Sequence, residues 1–131
     1  MSLVQLIYTS HPFGFEDGIL HDILTKSRAN NRRDGVTGAL ICRADMYLQL
    51  LEGPEDKVLD TYRRITHDDR HLELSVLVSG AIAERRFPAW AMRDDPARSW
   101  MWSQAEVRDG AVQAASAQEI CAVFDRVARE A

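Results

Sequence analysis

The sequence is poor in cysteine: Cys42 and Cys121 are its only two, far apart and outside any CxxC or CxxC…HxxxH arrangement. Neither a disulfide framework nor a structural zinc site is indicated, and a reducing, cytoplasmic setting is expected. The chain also lacks an excess of positive charge. Its 16 basic and 20 acidic residues leave a formal net charge of −4, so nothing draws the whole molecule to a phosphate backbone and nucleic acid is not an expected partner. Arg28, Arg32 and Arg33 form a local basic patch that reads as a solvated helix end. No apolar run approaches the roughly 20 residues of a membrane-crossing helix. Met1 leads straight into Leu3–Ile7 without the charged start or small-residue cleavage site of a secretory signal. Internal repeats and low-complexity segments are missing too.

What is present suits one soluble α+β domain with a tail, expected at residues 1–95 and 96–131. Apolar residues make up 46% and charged residues 27% of the 131 positions, enough for a single core and too few residues for two. Leu3 to Thr9 form a short apolar run closed by Ser10-His11-Pro12, the pattern of a buried strand with Tyr8 near its end. Leu20, Ile23 and Leu24 recur at helical spacing between about Glu16 and Asn30, and Ser27 and Asn31 continue the stripe. Val36–Cys42 and Met46–Glu52 read as a hairpin around Arg43-Ala44-Asp45. Pro54 is tolerated in the first turn of a second helix faced by Val58, Leu59, Tyr62 and Ile65. Leu72–Ser79 and Phe87–Met92 supply a fourth and a fifth strand.

The order βαββαββ contains the split βαβ plan, a ferredoxin-like sheet, antiparallel in most of its pairings, with two helices on one face. The other face then needs a cover. Ser116 followed by Glu119 is a capping box, and Ile120, Val123, Phe124 and Val127 mark an amphipathic helix over 116–130 suited to that task.

Gln49 stands inside Met46-Tyr47-Leu48-Gln49-Leu50-Leu51, where an amide without partners costs several kcal/mol. Either it is exposed on an edge strand or it has partners. Because an amide presents an acceptor at one end and donors at the other, rotating it reverses the hydrogen bonds it offers. Tyr8 either packs its ring and gives its hydroxyl to water, or sets its phenol against Gln49 from a neighbouring strand. Asn31 reads more readily as a helix C-terminal residue than as a ligand. The run His67-Asp68-Asp69-Arg70-His71 holds metal-ligating types, yet a solvated helix end with cationic histidine accounts for it better.

Six blocks, taken together, resemble those of the BLUF family of flavin-binding blue-light sensors. They are Leu6-Ile7-Tyr8-Thr9-Ser10, Ser27-Arg28-Ala29-Asn30-Asn31, Gly35-Val36-Thr37-Gly38, Leu48-Gln49-Leu50-Leu51-Glu52-Gly53-Pro54, Asp69-Arg70-His71 and Arg86-Phe87-Pro88-Ala89-Trp90-Ala91-Met92. They occur in family order over roughly residues 2–93, which no single short motif would match. The resemblance implies noncovalent FAD, or FMN in its place, between the two helices with its polar edge toward the sheet. It makes Tyr8 the electron and proton donor and Gln49 the switch between Tyr8 and the ring. Asn31 would hold the ring's carbonyl and N–H edge, with Ser27 and Arg28 in the same binding block. Asp69, Arg70 and His71 would lie near the outer part of the cofactor, and Trp90 or Met92 would be the neighbour that moves on signalling.

Two features depart from the family pattern. Arg93 stands after Met92 where such domains often have glycine, and the segment between Tyr8 and Asn31 is about one residue short. Trp100 and Trp102 receive no role. The expected output is not enzymatic: with no output domain recognisable, light would be reported through the tail helix to a protein partner, or through homo-oligomer contacts. The competing classes are a flavoenzyme, which would need an acid or base beside the ring, and a ligandless ferredoxin-like interaction module.

Overall fold

A computed structural model describes residues 3–12, 28–43, 46–66, 71–87, 93–96 and 101–129. Its centre is the strand that the sequence makes most apolar. β3 (Met46–Pro54) is buried at every position but the last, a pattern that requires cover on both faces of the sheet rather than one. β1 (Leu3–Pro12) and β2 (Thr37–Arg43) flank it, both antiparallel. β4 (His71–Ile82) pairs antiparallel with the outer side of β1, and β5 (Arg93–Pro96) runs parallel to β2, giving the order β4-β1-β3-β2-β5. This is the expected ferredoxin-like sheet, antiparallel but for its last pairing.

Strand alternation sorts the apolar side chains into two cores. Leu6, Tyr8, Leu40, Tyr47 and Leu51 point to one face, where they meet Val36 and Val58. Ile7, Ala39, Ile41, Met46, Leu48 and Leu50 point to the other, where Val112, Ile120, Phe124 and Val127 close over them. The first face carries α1, described over residues 28–34, and α2 (Glu55–Thr66). Asp34 at the end of α1 accepts a hydrogen bond from Arg64 Nη2 of α2 at 3.2 Å. The second face carries α3 (Gln104–Arg108), α4 (Ala111–Ala114) and α5 (Ala117–Arg129).

Gly35 ends α1 in the left-handed conformation, φ 71°, which lets the Val36 N–H reach back to the Asn31 carbonyl at 2.9 Å. That closure is a Schellman turn, and glycine takes it without the steric penalty of a side chain. Gly38 is required for another reason: a Cβ there would stand 1.9 Å from the Leu50 carbonyl oxygen.

Several elements differ from the sequence expectation. α1 continues to Asp34 instead of stopping at Asn30, since the αL glycine comes only at position 35. Pro54 closes β3 rather than opening α2, which starts at Glu55. β4 is longer than Leu72–Ser79 at both ends, with its register shifting against β1 between Ile7 and Tyr8. Among the described residues the fifth strand is Arg93–Pro96; of the expected strand Phe87–Met92, Phe87 is a buried core residue outside any strand and the rest lies outside the described residues. The tail holds three helical segments instead of one, and the expected capping box is formed: Ser116 Oγ accepts from Glu119 N at 3.1 Å, and Glu119 Oε1 accepts from Ser116 N at 3.3 Å. Among the described residues, no helix is long and apolar enough to cross a membrane.

Candidate functional site

Register brings the two principal candidates together. Tyr8 of β1 stands directly opposite Gln49 of β3, and cross-strand partners of this kind place their Cβ atoms about 5 Å apart on one face. Tyr8 is fully buried and Gln49 is 3% exposed. The Tyr8 hydroxyl donates a hydrogen bond to Gln49 Oε1. Gln49 is therefore a central-strand residue with Leu40 of β2 on its other side, not an edge residue facing water. Because its carbonyl end takes the phenol, its N–H₂ end is directed elsewhere on the same face.

The walls of this face are set by α2. Tyr62 crosses the Tyr8 ring edge to face, with centroids 5.6 Å apart, an arrangement aromatic rings favour. Thr9 Oγ1 donates to the Tyr47 carbonyl at 3.0 Å, which ties β1 to β3 beside the Tyr8–Gln49 pair. Asn31 lies in the last turns of α1, as one of its two readings expected. Its backbone carbonyl takes part in the closure of α1, while its side chain is fully buried. Among the described residues Asn31 Oδ1 receives no hydrogen bond, while the residue is engaged through other contacts.

Arg28 lies half-buried in the first described turn of α1. His71 opens β4, with its backbone opposite Pro12. Ser27, Asp69, Arg70, Trp90, Met92 and Trp100 lie outside the described residues. Trp102 is half-buried against the core under the tail helices.

A profile of the BLUF family, described as sensors of blue-light using FAD, matches residues 3–93. The chain belongs to the BLUF family. It is 35% identical over 86 residues to the blue light- and temperature-regulated antirepressor BluF of Escherichia coli strain K12, a stretch covering 65% of this chain and 21% of that protein. It is 31% identical over 74 residues to the photoactivated adenylate cyclase subunit beta of Euglena gracilis, covering 56% of this chain and 9% of that one. The chain thus spans only a small part of these curated relatives. Among solved structures, the dark state of BlrB, a BLUF protein, is similar with a TM-score of 0.78 and 28% identity, over 99% of this chain and 98% of the other. A bacterial light-regulated adenylyl cyclase gives a TM-score of 0.72 at 30% identity, over 86% and 34%.

FAD is the cofactor that the BLUF family shares, and the donor set here fits the polar edge of a flavin ring. A phenol and two amides, from Tyr8, Gln49 and Asn31, are all buried beside an apolar cluster. An isoalloxazine edge alternates carbonyl acceptors with an N–H donor, which amides match and a lone acid or base would not.

Sequence reasoning missed a second polar group, on the opposite face. Gln5, Thr37 and Glu52 share the side of Ile7, Ala39 and Leu50, and Glu52 is fully buried. Strand alternation held the signal: three polar residues at inward positions of an apolar stripe.

Proposed function

We propose that this chain is a blue-light sensor in which Tyr8 and Gln49 form the switch and Asn31 holds the flavin. The observation that carries the reading is the buried hydrogen bond from the Tyr8 hydroxyl to Gln49 Oε1 in the middle of the sheet. Bound FAD supplies the absorption of blue light and an excited state that oxidises a nearby phenol. Tyr8 is the phenol within reach of the amide. Its hydroxyl holds the proton that moves toward Gln49 Oε1 as the phenol loses an electron, and both return as the ring relaxes. Gln49 is left with its donor and acceptor ends exchanged, so the ring sits in an altered set of hydrogen bonds and no substrate is consumed.

Ser27, Arg28 and Asn31 on the α1 side, Asp69 and Arg70, and His71 at the start of β4 are assigned to cofactor binding. The assignment of FAD over FMN rests on the family, and chromatography of flavin released by heating separates the two. Residues 96–131 act as the output tail, receiving the signal through Trp90 and Met92 and passing it to a partner protein. The antirepressor and cyclase relatives give light sensing to very different outputs, so the partner of this chain is a matter for pull-down in light and darkness.

The test is an absorption spectrum of purified flavin-loaded protein before and after blue light, with and without NADH. A small reversible red shift that leaves NADH unconsumed is expected. A spectrum unmoved by light, or steady NADH turnover, would overturn the reading.

A further inference from the structure

A polar row crosses the otherwise apolar face that α5 covers. Thr37 of β2, Glu52 of β3 and Gln5 of β1 stand opposite one another in register. Glu52 Oε1 accepts from the Phe87 N–H at 2.6 Å and Oε2 from the Arg86 N–H at 2.9 Å. Arg85 Nη1 donates to Thr37 Oγ1 at 2.9 Å and to the Glu52 carbonyl at 3.3 Å, and Thr37 Oγ1 donates in turn to Glu52 Oε1 at 3.4 Å. One residue of β3 thereby fixes three consecutive residues of the connection that follows β4.

Arg86 then reaches from that connection to two elements. Its Nη1 donates to Gln5 Oε1 of β1 at 2.6 Å, and its Nε donates to Asp125 Oδ1 of α5 at 2.6 Å. Gln5 Nε2 also donates to Cys121 Sγ, one turn before Asp125, at 3.8 Å. The output helix is therefore held by polar contacts as well as by its apolar stripe. A fully buried carboxylate is a poor choice for stability alone, since an apolar side chain of similar size serves as well or better. A satisfied polar network fixes one arrangement of the elements it joins.

We propose that Glu52 and Arg86 are positioning residues that carry the state of Gln49 to α5, and that light opens the Arg86–Asp125 contact. The proposal rests on the photosensor reading of Tyr8 and Gln49. Glu52 follows Gln49 by three residues on the same strand and faces the opposite side, so a shift of β3 at Gln49 reaches the 85–87 connection through three residues of backbone. The network does not open uniformly. The Glu52 side chain is fully buried, and leaving its contacts unmade is costly. The Arg86 and Asp125 side chains are 21% and 46% exposed, so that pair exchanges its partner for water at little cost. It is the joint with two arrangements of similar energy, which a switch requires.

The experiment is hydrogen exchange of α5 amides in the full flavin-loaded chain, dark and illuminated, for the wild type, Asp125→Asn and Asp125→Glu. The half-exposed Asp125 side chain lets all three fold. In the wild type, light should speed α5 exchange several-fold. Asp125→Asn should exchange at the illuminated rate already in the dark, gain nothing from light and keep the flavin red shift; Asp125→Glu should restore the light dependence. If Asp125→Asn speeds exchange by the same factor in dark and in light, so that illumination still accelerates α5, the contact is merely structural and the proposal fails. It also fails if wild-type α5 does not respond although the red shift is present. Absence of the red shift from the wild type defeats the photosensor reading itself, and this proposal with it.

Discussion

At Gln49 the chain places an amide where its neighbours are all apolar, and the fold supplies the phenol that makes this tolerable. Tyr8 and Gln49 were legible in the sequence because each polar group interrupts or ends an apolar strand. Their contact was one of two alternatives the sequence left open, since it depends on β1 and β3 being neighbours although 41 residues separate the pair. Glu52 went unread for the opposite reason: a carboxylate just before Gly53-Pro54 looks like the solvated end of a strand, and only the connection at residues 85–87 buries it. Glu52→Ala should leave the Arg86 and Phe87 N–H groups and the Thr37 hydroxyl short of acceptors, destabilising the protein by about 3–5 kcal/mol. Denaturant midpoints of wild type and variant measure this. A loss below about 1 kcal/mol would mean that water replaces the carboxylate.

Among the elements, α1 and α2 are joined across the sensing face by Asp34. The Arg33 guanidinium hydrogen-bonded to it, with Arg64 adding, holds the Asp34 carboxyl below its ordinary pKa of 3.8. A carboxyl with a depressed folded pKa stabilises fully above its unfolded value and loses that contribution as pH falls through the folded one. Asp34→Asn should therefore lower the denaturant midpoint at neutral pH, with the difference fading below about 3.8. A difference that persists undiminished in acid would remove the charge from the explanation. On the other face, α5 was legible from its capping box and apolar stripe. Ser116→Ala should cost about 1 kcal/mol through the cap, and Phe124→Ala about 3–5 kcal/mol through the cavity, with thermal unfolding as the check. β5 was not legible. Arg93-Asp94-Asp95-Pro96 has none of the composition of a strand, and it forms one because β2 offers an edge for parallel pairing, an example of tertiary context overriding strand propensity.

For the molecule as a whole, β3 is the element that the proposed light switch and its proposed route to the tail share. Tyr47, Gln49 and Leu51 face the sensing side, while Leu48, Leu50 and Glu52 face the tail helices. A sheet covered on both faces can register an event on one side and report it on the other through a strand two residues in period. The βαββ order and the need for a covering tail followed from patterning alone; that the cover comes from three helical segments did not, because the short α3 and α4 carry too few residues to show a period. The central claim is that the Gln49 amide, held by the Tyr8 phenol, converts light into a changed hydrogen-bond pattern. The direct measurement is the light-minus-dark absorption spectrum of Gln49→Leu beside the wild type, both loaded with flavin. A red shift in the wild type that is missing from a variant still holding its flavin is the predicted result; a full red shift in Gln49→Leu would contradict the account.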